Sequence, residues 1–196
     1  IESLIKNKND IAILDDGFQD YTIEKNFSVV CFNQKQWIGN GLVMPSGPLR
    51  ERITAVNRSD CIIINGKRNI KIEDQIYKKN KNVKIFYSKY KPVNIDRFKD
   101  KKICAFAGIG NPSNFFDLLK ENKLNLIKTI PFPDHYKFSA SDHKYLLSNS
   151  EDALLLTTEK DHCRIDDDYK KNIEFLKIEL EIDNKDSFVE LIKKNI

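Results

Sequence analysis

Asp15, Asp16, Arg50, Glu51 and His135 carry most of the chemistry this sequence can offer. Asp15 and Asp16 close a short apolar run, Ile11-Ala-Ile-Leu14. Doubly wound sheets bind ligands at the carboxyl ends of their strands, and a carboxylate there can hold Mg2+ directly or through its waters. An ordinary turn after a strand would read the same way, and the pattern alone leaves both open. Gly39-Asn-Gly41 is followed by Pro45-Ser-Gly-Pro-Leu-Arg-Glu51. Glycines admit a ligand close to backbone amides, Arg50 can neutralise phosphate through a forked contact, and Glu51 can add a carboxylate beside a metal. A loop leading into a helix is the plainer alternative. His135 ends Phe132-Pro-Asp-His135, just past a predicted strand and with an acid beside it. An imidazole oriented by a carboxylate can act as a general base toward a hydroxyl, although a loop histidine can equally be a plain surface group. Gly108-Ile-Gly110 and Thr157-Thr-Glu-Lys-Asp161 also sit at predicted strand ends and could line a cleft. The G-x-G lacks the third glycine of a dinucleotide fingerprint. His143 and His162 receive no role.

The elements that must position these groups alternate between strand and helix. Ile11–Leu14, Phe27–Phe32 and Cys61–Ile64 are continuous apolar runs, the pattern of strands buried on both faces of a parallel sheet. A Gly- and Pro-rich loop from Trp37 to Pro48 leads into a predicted helix over 49–58, and a charged amphipathic helix is expected over 70–80. Residues 83–90 alternate apolar and polar, which suggests an antiparallel or exposed strand. A second unit starts near Lys101, with strands at 103–107, 124–130 and 153–156 and helices at 113–121 and 140–148. A further alternating strand spans 173–182, and a helix over 185–194 closes the chain. Alternation of this kind indicates an α/β fold with a mostly parallel sheet, and the alternating segments flanking the second unit suggest two lobes joined by a two-stranded connection.

Hydrophobic residues at 40% and charged residues at 32% support a buried core and argue against wholesale disorder. The net charge of +4 is spread along the chain without a basic stripe, which with the lack of an RNA-binding motif argues against a nucleic-acid binder. Cys31, Cys61, Cys104 and Cys163 are too far apart for a C-x-x-C site, and the first three, in apolar runs, are expected to be buried thiols of a reducing compartment. No apolar run approaches the roughly 18 residues that a membrane-spanning helix needs. Ile1, Leu4 and Ile5 have helical spacing, and the opening in mid-pattern suggests that sequence precedes Ile1.

In order, Leu14-Asp-Asp-Gly-Phe-Gln19, Gly39-Asn-Gly41, Pro45-Ser-Gly-Pro-Leu-Arg-Glu51, Phe106-Ala-Gly-Ile-Gly-Asn-Pro112, Phe115-Phe116, Phe132-Pro-Asp-His135 and Thr158-Glu-Lys-Asp161 resemble the tetraacyldisaccharide 4′-kinase family, the lipid A 4′-kinases. The resemblance covers about Ile11 to Ile182. It implies a P-loop NTPase-like fold of two α/β/α lobes joined by a two-stranded linker. On that plan residues 1–82 form the C-terminal part of a nucleotide-binding lobe, 83–92 a linker strand, 93–172 the second lobe, and 173–196 the return strand and terminal helix. It implies transfer of the ATP γ-phosphate to the 4′-hydroxyl of tetraacyldisaccharide 1-phosphate, with Mg2+, at the cytoplasmic face of the bacterial inner membrane. Asp15, Asp16 and Glu51 then fall at metal-binding positions, Gln19, Arg50 and Glu51 at nucleotide contacts, and Asp16, Arg50 and His135 at catalytic positions. His135 matches a histidine that works with an aspartate to activate the acceptor hydroxyl.

No G-x-x-x-x-G-K-S/T occurs in the sequence, so the phosphate cradle is expected in preceding sequence and the chain alone is expected to be inactive. Asp20 replaces a histidine usual in the family, and His162-Cys-Arg164 replaces Ala-Val-Lys, leaving Arg164 as a basic substitute. The alternative function is a noncatalytic α/β module that binds a nucleotide or an anionic membrane.

Overall fold

Apolar runs bounded by turn residues become the strands of two separate sheets. The computed structural model describes Lys6 and residues 8–196; the helical spacing of Ile1, Leu4 and Ile5 lies outside these. Two compact units emerge: residues up to Tyr90 together with Leu180–Ile196, and Lys91–Glu179. Both are α/β, and the pairings among the strands at 29–33, 61–65 and 84–92 and among those at 102–107, 125–131, 154–158 and 173–176 are parallel, as the alternation of elements implies.

In the first unit β1 (Val29–Asn33), β2 (Cys61–Asn65), β3 (Lys84–Pro92) and β8 (Ile178–Ile182) lie in that spatial order. Ile62 and Ile64 point to one face, where Val56, Ile72, Ile76 and Val83 bury them. Ile72 and Ile76 are one turn apart on α1 (Ile70–Tyr77), so they share one stripe of that helix. Asn69 starts it by accepting the Lys71 and Ile72 amides. On the other face Phe188 of α5 (Lys185–Asn195) meets Phe86 edge-on at 5.3 Å. The helix expected over 49–58 is instead a 3₁₀ turn, Ile53–Arg58, stopped where Ser59 Oγ donates to Val56 O.

The second unit orders its strands β5 (Asn125–Pro131), β4 (Lys102–Ala107), β6 (Leu154–Thr158) and β7 (Ile173–Leu176). Alternate residues of β4 enter two separate cores. Ile103, Ala105 and Ala107 pack with Phe115, Phe116 and Leu119 of α2 (Pro112–Glu121). Cys104 and Phe106 pack with Leu146 of α3 (Ala140–Asn149). The β4–α2–β5 and β5–α3–β6 connections run in opposite directions, and right-handed crossovers then place their helices on opposite faces.

Three further expectations fail. Ile11–Leu14 is not a strand: it pairs with nothing among the described residues and Ile13 is 91% exposed. Four apolar residues form a strand only where a neighbour takes their backbone groups and a core covers their side chains. The alternation over 173–182 is divided at Lys177 into β7, which joins the second sheet, and β8, which joins the first. Asn94 sits at this break, donating to Phe175 O and accepting the Lys177 amide. Cys31 is exposed on the edge strand β1, whereas Cys61 and Cys104 are buried; burial pushes the Cys61 thiol up to about 12.

Candidate functional site

In the first unit the residues singled out in sequence form one polar cluster without the strand expected to carry it. Asp15 and Asp16 lie in an exposed turn. Asp16 has φ +58°, a left-handed conformation that aspartate tolerates better than most residues, and its carboxylate pairs with Arg50. Glu51 is held by a fork from Arg58, both N–O distances 3.0 Å, and by the Tyr21 hydroxyl at 2.9 Å. The Arg58 contacts come first, with Tyr21 and Gln19 adding to them, in holding the Glu51 carboxyl below the usual carboxylate range. The Arg58 guanidinium also lies 4.6 Å from the Phe18 ring centre and 4.9 Å from that of Tyr21. Residues 16–21 are thus fastened to residues 50–58, and Asp16, Gln19, Arg50 and Glu51 are brought together.

Mg2+ suits this cluster only in part. Asp15 and Asp16 offer hard, solvent-accessible oxygens, and Mg2+ commonly keeps several waters beside one or two carboxylates. Glu51 is committed to Arg58 and Tyr21 and does not fit as a ligand in this arrangement. Among the described residues no three His, Cys, Asp or Glu side chains are gathered closely enough to hold a metal by themselves. Asp20 accepts from the Thr22 amide and hydroxyl, and those bonds keep its carboxyl low.

In the second unit the sheet positions a different set. The connections leaving β4 and β6 run in opposite directions, toward β5 and β7, so the carboxyl ends of β4 and β6 bound a topological switch point. Gly108 follows β4 there, and Asp161 follows β6 in α4 (Glu159–Arg164). Asp161 is fully buried. Its Oδ2 accepts the Gly108 amide at 2.9 Å and the Thr158 hydroxyl at 2.7 Å, closing the two strand ends together. A Cβ on Gly108 would lie 3.1 Å from Tyr136 Cβ and 3.2 Å from Pro133 O, so glycine is what lets the 132–136 loop close on β4.

That loop presents His135. Phe132 N donates to Ala107 O at 2.8 Å, and the Phe132, Tyr136 and Phe138 rings pack on one another, with Phe132 and Phe138 against Phe106. Such ring pairs contribute about 0.5–1.5 kcal/mol each beyond area burial. His135 occupies the turn at φ +58° with its side chain 71% exposed. The neighbouring acid is not what orients the ring. Asp134 Oδ1 accepts the His135 backbone amide at 2.9 Å, while Oδ2 is 3.8 Å from Nε2, beyond hydrogen-bond reach. The ring's partner is Arg164, whose Nη2 lies 3.1 Å from Nδ1. Spacing could not reveal this, because Arg164 is 29 residues away; the only sequence signal was a basic residue one helical turn after Asp161. Lys160 is exposed, while His143 and His162 stack on Tyr169 and Phe175. No described helix is long and apolar enough to cross a membrane.

The family model described as tetraacyldisaccharide-1-P 4′-kinase matches residues 1–196. A tetraacyldisaccharide 4′-kinase of Pelagibacter ubique is 42% identical over 192 residues, covering 95% of this chain and 61% of the relative. Those of Parvibaculum lavamentivorans and Rickettsia felis are 36% and 37% identical, covering 79% and 95% of this chain. The chain spans 46–61% of the length of these relatives. The crystal structure of LpxK from Aquifex aeolicus in complex with ATP superposes with a TM-score of 0.65 at 21% identity, over 91% of this chain and 55% of that one, a likeness of fold.

Proposed function

The chain belongs to the tetraacyldisaccharide-1-P 4′-kinase family, and from that premise we propose that its residues serve ATP-dependent phosphorylation of the 4′-hydroxyl of a tetraacyldisaccharide 1-phosphate in lipid A biosynthesis. The family match along all 196 residues carries the reading. ATP use is supported by the nucleotide in the structural neighbour. Phosphoryl transfer asks mainly for positioning and for neutralisation of charge around the phosphates. Arg50 supplies a guanidinium on an exposed cluster, Gln19 and Glu51 stand beside it, and Asp15 and Asp16 are the carboxylates that would hold Mg2+. When bound, that ion would neutralise charge on the transferring phosphate. His135, exposed on a loop fixed by aromatic packing, engages the acceptor hydroxyl. A substrate with four acyl chains stays in the bilayer, since each CH2 removed from it costs about 0.8 kcal/mol. The enzyme therefore works peripherally on the membrane, at the cytoplasmic face of the inner membrane where ATP is available.

The test is transfer of γ-phosphate from labelled ATP to the disaccharide in the protein at its natural length. Asp16→Ala is expected to abolish magnesium-dependent transfer with little loss of folding, and His135→Ala to lower kcat more than ATP affinity. Near wild-type turnover in Asp16→Ala would overturn the metal role, and in His135→Ala the role at the hydroxyl.

A further inference from the structure

A guanidinium has five N–H donors, no acceptor, and does not lose its proton in proteins. The 3.1 Å contact between Arg164 Nη2 and His135 Nδ1 therefore has only one polarity: Arg164 donates and Nδ1 accepts. A ring with its proton on Nδ1 would set two donors face to face. The bare Nδ1 leaves the proton of the neutral ring on Nε2. Asp134 Oδ2, at 3.8 Å, is too far to take up that Nε2–H, which stays open to solvent.

The position of Arg164 is itself fixed. Asp161 Oδ1 and Arg164 Nη1 are both buried and without a hydrogen-bond partner, and they lie 3.7 Å apart. The two lie within ion-pair reach of each other in a region where an unpaired charge is costly. The Asp161 carboxylate cannot turn to a different partner, because its Oδ2 is pinned by Gly108 and Thr158.

We infer that Arg164, anchored on the buried Asp161, is a positioning residue that holds His135 as the Nε2–H tautomer, so that the ring meets the acceptor hydroxyl as a hydrogen-bond donor. Only the last clause rests on the function proposed above. A donor orients the hydroxyl oxygen. The proton-acceptor role expected of His135 from sequence needs a bare Nε2, which this arrangement withholds for as long as Arg164 stays in place. Asp161, Arg164 and His135 thus act in series from β6 to the open end of the 132–138 loop.

The experiment is two-bond proton–nitrogen correlation on the full chain with its histidine ring nitrogens labelled, at a pH where the rings are neutral. His135 is assigned by the signals lost in His135→Gln. The wild type is expected to show a bare Nδ1 and a protonated Nε2 for His135. In Arg164→Met the ratio of Nε2–H to Nδ1–H forms is expected to fall roughly fivefold, the effect of one net hydrogen bond. Asp161→Asn keeps an acceptor for the Gly108 amide but removes the anchoring charge, and is expected to move the ratio in the same direction by less. A wild-type ring protonated on Nδ1, or an unchanged ratio in Arg164→Met, would overturn the inference. An unchanged ratio in Asp161→Asn alone would remove Asp161 from the series. The spectrum is read without turnover, so it is decided separately from the kinase assay.

Discussion

Replacing Asp161 by alanine tests how the second unit closes its own strand ends. The fully buried carboxylate takes the Gly108 amide at 2.9 Å and the Thr158 hydroxyl at 2.7 Å. Alanine leaves the Gly108 amide buried without an acceptor, which costs about 1–3 kcal/mol. Thr158 is half-buried and water can take over its hydroxyl, so that loss sits near the low end of a bond to a charged group, about 1.5 kcal/mol. Arg164, 26% exposed, regains some hydration when its anion is removed, while the cost of keeping a carboxylate dry disappears. The net expectation is a loss of about 3 kcal/mol for Asp161→Ala and about 1 kcal/mol for Asp161→Asn, whose carbonyl still accepts from Gly108. Amide exchange at Gly108 and along β4 reads this directly, at about tenfold faster exchange per 1.4 kcal/mol lost. Trp37, the single tryptophan, belongs to the other unit and serves as a control through its fluorescence. If Gly108 exchange in Asp161→Ala stays within tenfold of wild type, the carboxylate does not hold the strand ends and the reasoning fails.

Arg58→Lys removes the fork on Glu51 and the contacts over the Phe18 and Tyr21 rings. It is expected to speed amide exchange in residues 16–21 about tenfold, since lysine reproduces neither a fork nor a planar stack; unaltered exchange there would mean the segment is held by something else. At His162, burial first and Lys170 second push the imidazole below its ordinary value. The unfolded chain then binds more protons between the folded value and about 6.5, so stability is complete above about 6.5 and lost as pH falls through the folded value. His162→Phe, which keeps a ring against Phe175, is expected to flatten that slope in urea melts between pH 5 and 7, and an unchanged slope would acquit His162.

The second unit was the more legible. Its strands alternate short apolar runs with helices, and the structure starts α2 with Pro112 and α3 with a Ser139–Asp142 capping box. Where a segment satisfies its own backbone and buries its own stripe, local pattern suffices. Ile11–Leu14 shows the opposite case, because the same apolar run carries no information about whether a neighbour is present to pair with it. The division of 173–182 was hidden for a related reason. A period of two specifies a face and not a sheet, and the side chain that settles the matter, Asn94, is about eighty residues distant. The site followed the same rule. His135 was visible from its place after a predicted strand, but its true partner was not, because Asp134 offers a plausible acid next door while Arg164 comes from a helix beyond the next strand.

That distance also assigns two duties to one residue. Asp161 ties β4 to β6 and, through Arg164, steadies His135, so its substitution disturbs fold and site together. Lost turnover in an Asp161 variant therefore says nothing specific about chemistry. Arg164 separates the two duties: it ends α4 at the surface and bonds neither Gly108 nor Thr158. If the series from Asp161 to His135 is real, Arg164→Met must change the His135 ring while Gly108 exchange in that variant stays within a few fold of wild type. Loss of protection at Gly108 on removing Arg164 alone would mean that the arginine secures the buried carboxylate, with the orientation of His135 a by-product of packing.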